Sequence, residues 1–76
     1  MNRSELRAAM ARKDVNSERA AKAIGISADA FRRKMRGATQ FRADNIAGLA
    51  VLLDLTLDDI NVIFFDGMFD HVDKQG

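Results

Sequence analysis

The stretch that decides the fold is SERAAKAIGISADAFRRKMRG, residues 17–37. It holds two short amphipathic segments on either side of a turn. Ala21 supplies the small side chain that two steeply crossing helices require, and Gly25 allows a positive φ in the turn between them. Ile26 and Phe31 place apolar side chains in the wedge between the helices. This spacing predicts a helix-turn-helix.

Both helices carry signals for their ends. Asn16 or Ser17 can cap the first helix with a side-chain oxygen, and Ser27 can cap the second. Asp29 lies in the first turn of the second helix, where a carboxylate is favourable against the helix dipole. Gly37 is expected to close that helix in the left-handed conformation.

Three further segments have apolar residues at helical spacing, and each predicts one more helix. Ser4 is expected to cap the first helix of the chain, and Thr56 is expected to begin the fifth. Inside the fourth helix Gly48 costs about 1 kcal/mol relative to Ala, so we expect a close helix contact there. The predicted inner faces are Leu6, Ala9 and Met10 in the first helix, Ile46, Leu49, Ala50 and Leu53 in the fourth, and Leu57, Ile60, Ile63 and Phe64 in the fifth.

No alternation of the kind that marks a strand persists along the chain, so the expected fold is all-α with five short helices. We expect residues 1–65 to form the domain. Residues 66–76 are expected to form a mobile acidic tail, with one candidate apolar anchor around Met68, Phe69 and Val72.

Composition excludes several classes of protein. The 76 residues of the chain suffice for one small domain. The absence of cysteine excludes disulfides, zinc–thiolate centres and thiol catalysis. No apolar run approaches the roughly 18 residues of a membrane span, and the first residues lack the apolar stretch of a signal peptide. We expect a soluble, cytoplasmic protein without a membrane partner.

Metal and catalytic sites are not expected either. The single histidine, His71, lies near Asp70 and Asp73, but three ligands in a frayed tail lack a preorganised shell, which favours a solvated tail. The chain offers no Ser/His/Asp set and no Gly-rich phosphate loop. We therefore expect binding rather than catalysis, with no cofactor and no small-molecule substrate.

Charge is divided sharply along the chain. Residues 1–42 carry eleven Lys and Arg against four acids, a net charge of +7, whereas residues 43–76 carry one Lys against seven Asp, a net charge of −6. Five of the bases lie between Arg32 and Arg42. This division is expected when one end of a domain meets a polyanion, although a solvated basic face would also explain it.

The second helix of the motif separates an inner from an outer face. At about 100° per residue, Met35 lies about 40° from Phe31, which marks the buried side. Asp29, Arg33 and Arg36 lie at about 160°, 200° and 140°, on the opposite side. An exposed helix face with two arginines can offer guanidinium groups to the O6 and N7 atoms of guanine in the major groove.

Residues 6–65 resemble the phage repressor and Cro type of DNA-binding domain. The run AFRRKMRG at 30–37, with Gln40-Phe41 and Ile63-Phe64-Phe65, is similar to small Cro-like regulators of Gram-positive prophages. The resemblance implies a lambda-repressor-like bundle of five helices. The family usually has Gln at the first residue of the second helix, where it braces a phosphate or the recognition helix, and this chain has the shorter Ser17.

The resemblance, together with the chemistry of helix starts and charged groups, indicates a set of DNA contacts. Thr39 and Gln40 would contact the sugar-phosphate backbone, although loop polarity explains them equally well. Asn45 and the free amides at the start of the fourth helix would donate to a phosphate, with Arg42 beside them. Asp29 would accept from a cytosine amino group or orient an arginine, or else serve only the helix start. The full set is Ser17, Ser27, Ala28, Asp29, Arg32, Arg33, Arg36, Thr39, Gln40, Arg42 and Asn45.

The predicted function is that of a sequence-specific double-stranded DNA-binding regulator, of the phage or prophage Cro-like or repressor-like kind, which occludes its operator. One inserted helix reads few base pairs, so we expect a homodimer closed through the fifth helix by Val62, Phe65 and Phe69. Alternatively, Phe65 folds back with the tail onto the core of its own monomer. The competing function is a protein-interaction module, such as an antirepressor or adaptor. A small hydrolase has no supporting residue set.

Overall fold

The computed structural model describes residues 1–69. These residues form five helices and no strand: α1 (Arg3–Arg12), α2 (Ser17–Ile24), α3 (Ala28–Arg36), α4 (Ala43–Leu52) and α5 (Leu57–Phe65). The all-α prediction is confirmed. Helix α2 packs against both α3 and α4, while α5 packs against α1 and α4. None of the helices in this part of the chain has the length and apolarity needed to cross a membrane.

The predicted turn signals act as expected around α2 and α3. Asn16 Oδ1 accepts a hydrogen bond from the Arg19 amide at 2.8 Å, and Ser27 Oγ accepts one from the Ala30 amide at 3.1 Å. Of the two residues that the sequence offered for the first cap, Asn16 therefore holds the position. The glycines after α2 and α3 adopt left-handed φ angles of 77° and 86°. Both ends of each helix are thus fixed by local chemistry.

Two predictions at helix starts are wrong. Asn2, rather than Ser4, caps α1, because the helix begins at Arg3 and Asn2 Oδ1 accepts from the Glu5 amide at 3.1 Å. Leu57 is 86% exposed instead of lying in the inner face of α5. It is the first residue of that helix, and helical side chains lean toward the N-terminus, so this one projects past the end of the core.

The core collects side chains from all five helices. Leu6 of α1, Phe31 of α3 and Leu49 of α4 are its largest fully buried residues. Phe41, in the loop after α3, contacts Phe31 and Phe64 edge-to-face, with ring centroids 5.6 Å and 5.8 Å apart. Such pairs add about 0.5 to 1.5 kcal/mol beyond the area that they bury. This aromatic series joins the motif to α5.

The close contact expected at Gly48 is present between α4 and α2. A Cβ at position 48 would lie 2.9 Å from Ile24 Cγ2, a methyl group of a β-branched side chain that cannot swing away freely. The glycine therefore lets the two helices approach despite its low helix propensity.

A double-mutant cycle tests this contact. Gly48→Ala gains about 1 kcal/mol in helix propensity but forces overpacking that typically costs 1 to 3 kcal/mol, so we expect a net loss of about 1 kcal/mol. In an Ile24→Ala background the clash is absent, and the same substitution should raise the free energy of unfolding by about 1 kcal/mol. Urea denaturation measures all four proteins. Equal stabilisation by Gly48→Ala in both backgrounds would show that the contact is unimportant.

A reciprocal capping box begins α5. Thr56 Oγ1 accepts from the Asp59 amide and Asp59 Oδ2 accepts from the Thr56 amide, each at 3.0 Å. The backbone hydrogen bond from Thr56 lowers the pKa of the Asp59 carboxyl below its ordinary value, and the charge of Arg12 acts in the same direction. The carboxylate therefore stabilises the folded state above its unfolded-state pKa, and this stability is lost as the pH falls through the lowered pKa.

Asp59→Asn should accordingly lower the free energy of unfolding at pH 7 by about 0.3 to 1 kcal/mol. The difference from the wild type should shrink as the pH falls through the lowered pKa of Asp59, because both proteins then lack the charge. Thermal denaturation at a series of pH values measures it. Asp58→Asn is the control for the general effect of a carboxylate in this turn, since Asp58 forms no capping hydrogen bond, and it should cost less than Asp59→Asn. A loss that is independent of pH would contradict the role of the charge.

The first residues after α5 turn back onto the helix. The Gly67 amide donates to the backbone carbonyl of Asn61, and the Phe69 amide donates to its Oδ1, each at 3.0 Å. The rings of Phe65 and Phe69 meet edge-to-face, 5.3 Å apart. Residues 66–69 are therefore held to α5. The remaining tail predictions, for Asp70, His71, Val72 and Asp73, fall outside the described residues, and residues 1–69 contain no metal-binding cluster of His, Cys, Asp or Glu.

Candidate nucleic-acid interface

The outer face of α3 carries the charged side chains that helix periodicity assigned to it. Phe31 and Met35 are buried, at 0% and 7% exposure, which confirms the inner face. On the opposite side, four exposed side chains line a shallow cleft of about 270 Å³: Asp29, Arg32, Arg33 and Arg36. Three arginines and one carboxylate therefore project together from one helix.

Asp29 contacts one particular arginine of this cleft. Its Oδ1 lies 3.5 Å from Nη1 of Arg32, and the two side chains are 86% and 49% exposed. Ser27 supplies the N-terminal cap of α3, so the Asp29 carboxylate is not needed to cap the helix. Of the roles left open for Asp29, orientation of an arginine matches this geometry. An ion pair this exposed contributes about 0 to 1 kcal/mol and exchanges partners easily.

A second groove runs between α1 and α3, with a volume of about 520 Å³. Arg3 Nη1 donates to the Arg36 carbonyl at 3.3 Å, which ties the start of α1 to the end of α3. The groove has polar and basic side chains as well as apolar ones. Its lining comprises Arg7, Asn16, Ser17, Arg32 and Arg36, with Met10, Ala11, Val15 and Met35 between them.

Arg7 is the member of this groove that sequence reasoning missed. It lies in α1, ten residues before Ser17 and outside the motif, and no spacing rule connects it to α3. Only the packing of α1 beside α3 brings Arg7 to the same groove as Arg32 and Arg36.

The loop after α3 is held in place through its backbone, and its polar side chains are exposed to solvent. Lys34 Nζ donates to the Gln40 carbonyl at 2.9 Å, which holds the loop against the last turn of α3. The side chains of Thr39 and Gln40 are exposed. Arg42 is also exposed, with its Nε 3.8 Å from Asp44 Oδ1. These polar groups remain available to a ligand on that side of the domain.

Asn45 requires a correction. Its residue is only 4% exposed, and its Oδ1 accepts a hydrogen bond from the Arg42 amide at 2.9 Å. The side chain therefore fixes the start of α4 from within, and its burial argues against the direct phosphate contact expected of it. A sequence shows a polar residue at a helix start but not whether it faces solvent.

The family model of the Cro/C1-type HTH DNA-binding domain matches residues 5–66. The chain belongs to this family. Searches of the curated proteins and of the solved structures found no match. The family is one of DNA-binding regulatory domains rather than of enzymes, so the chain is a DNA-binding transcription regulator.

In this Cro/C1-type domain the candidate residues fall into two groups along α3. One group surrounds the start of α2 and the outer face of α3, where Ser17 is half-buried and shares the α1–α3 groove with Arg32 and Arg36. Ser27 is exposed and Ala28 half-buried at the start of α3. The other group lies beyond the C-terminus of α3 and consists of Thr39, Gln40 and Arg42.

Proposed function

We propose that this Cro/C1-type domain is a sequence-specific regulator that occludes an operator in double-stranded DNA, as Cro-like and repressor-like proteins of phages and prophages do. The observation that carries the proposal is the outer face of α3. Arg33 and Arg36 project there, opposite the buried Phe31 and Met35, and share one cleft with Asp29 and Arg32.

The dimensions and chemistry of α3 suit the major groove. An α-helix with its side chains is about 10 to 12 Å across, and the major groove is about 12 Å wide. Arg33 and Arg36 would each offer a guanidinium fork to the O6 and N7 atoms of a guanine. Ser27 and Ala28, at the start of α3, would approach the neighbouring bases.

Residues on either side of α3 would contact the sugar-phosphate backbone and fix the register of α3 on the duplex. Ser17 would do so from the start of α2, while Thr39, Gln40 and Arg42 would do so from the loop after α3. Lys22 is exposed on α2 and would add to the positive potential.

Substitution of the two outward arginines tests the readout. Arg33→Ala and Arg36→Ala should each cost about 1 to 3 kcal/mol against the cognate site, because each removes a bidentate base contact. Both side chains are exposed, so the melting temperature should change little. Fluorescence polarisation on cognate and unrelated duplexes, with a thermal melt of each variant, measures both effects.

Lys22→Ala and Arg42→Ala are the matched controls. Their expected contacts are to phosphates, so they should weaken cognate and unrelated DNA alike and flatten the log–log salt slope by about 0.9 each. Wild-type affinity in both α3 variants would place the recognition surface elsewhere. A loss confined to the cognate duplex in the controls would contradict their assignment to the backbone.

The competing function, a protein-interaction module, draws support from the exposed apolar side chains in the acidic half of the chain. Val51 and Leu57, for example, are 84% and 86% exposed. The two functions differ in their response to salt. DNA binding weakens by about 0.9 log units per log unit of salt for every phosphate neutralised, whereas an apolar contact with a protein is nearly indifferent to salt.

We further propose that the regulator acts as a homodimer closed through α5. Val62, Phe65 and Phe69 are 39%, 37% and 44% exposed, which leaves apolar surface at the C-terminal end of the domain. A two-fold dimer would place two copies of α3 about 34 Å apart, on successive turns of DNA. The contact between the Phe65 and Phe69 rings also fits the alternative, in which Phe65 covers the core of its own monomer.

Sedimentation at micromolar concentration separates these arrangements. Phe65→Asp should convert a dimer into a folded monomer, because burial of each large side chain contributes about 1.5 to 3 kcal/mol. Leu57→Asp, at the other end of α5, should leave the dimer intact. If the wild type is monomeric both free and on a palindromic site, and Phe65→Asp lowers only the melting temperature, the dimer proposal fails.

A further inference from the structure

Three arginines from two helices meet at the groove between α1 and α3. Arg7 comes from α1, and Arg32 and Arg36 come from α3. No carboxylate is among the side chains that line the groove. Within residues 1–69 no ion pair involves Arg7, so its charge is not neutralised by the protein. Like charges that converge in this way raise the local potential and attract an anion.

We propose that this groove binds a phosphate of the DNA backbone, with Arg7 as its contact from α1. The inference rests on the proposed function, because the ligand is the duplex that receives α3. It extends the interface to a helix outside the helix-turn-helix, and it assigns a role to a residue that the motif does not include.

The shared lining makes a backbone phosphate the fitting occupant. Arg32 and Arg36 line both this groove and the cleft on the outer face of α3, so the two lie side by side. When α3 enters the major groove, the sugar-phosphate backbone at its edge passes beside the helix, toward α1. Ser17 lies in the same lining, at the start of α2, and its hydroxyl can donate to the same strand.

The ion pair between Arg32 and Asp29 is weak enough for Arg32 to leave it and contact a phosphate in the groove. Asp29 holds Arg32 at 3.5 Å with both groups exposed to solvent. A phosphate in the groove offers Arg32 a charge-assisted hydrogen bond of the same kind in exchange. Met10 and Met35, only 6% and 7% exposed, form part of the groove wall and present no competing polar group to the anion.

Charge removal at Arg7 tests the proposal. Arg7→Gln should flatten the log–log salt slope by up to about 0.9 on both cognate and unrelated duplexes, because the phosphate loses its neutralising contact from α1. Arg7→Lys should keep the slope. Arg12→Gln is the control: it removes the same charge from the same helix, but Arg12 acts on Asp59 at the start of α5 and does not line the groove.

A duplex with a single neutral methylphosphonate, moved one position at a time, locates the contact. One position should weaken the wild type and Arg12→Gln more than it weakens Arg7→Gln, which has already lost one of the arginines at that phosphate. An Arg7→Gln slope equal to that of the wild type, in a wild type that prefers its cognate site, would overturn the proposal and leave the function standing. A wild type with no salt-dependent binding would instead overturn the proposed function.

Discussion

The burial of Phe31 is the constraint on which the rest of the structure depends. Its side chain is completely buried, and the adjoining turn of α3 buries Met35 on the same side. Because a helix is rigid, these two contacts fix the rotation of α3 about its axis. The same rotation sends Arg33 and Arg36 outward. The proposed readout of DNA therefore depends on packing at the opposite side of the helix.

The remaining helices hold that rotation in place. Phe41 joins Phe31 to Phe64, so the motif cannot turn without disturbing α5. Gly48 lets α4 pack closely against Ile24 of α2, and this contact fixes the position of α2, which packs against α3. The charges are divided between the same two sets of helices. The basic half of the chain contains α1 to α3, and the acidic half contains α4 and α5. Acidic groups thereby stand away from the proposed polyanion contact.

Much of this arrangement could be predicted because it depends on local chemistry. Spacing located all five helices, and the cap at Ser27 and the glycine turns followed from single residue types. Two of the failures share one cause, because solvent exposure at a helix start is a tertiary property. Leu57 is apolar and exposed, whereas Asn45 is polar and buried, and neither can be inferred from periodicity. Arg7 was missed for the same reason, since only the packing of α1 brings it to α3.

The central claim is that the outer face of α3 reads a DNA sequence, and one measurement tests it most directly. The wild-type protein is titrated by fluorescence polarisation against duplexes from the DNA that flanks its own gene and against unrelated DNA, at one fixed salt concentration. We expect one site to be bound at least about 10³-fold more tightly than unrelated DNA. Equal affinity for every duplex would contradict it, because phosphate contacts alone carry no sequence information.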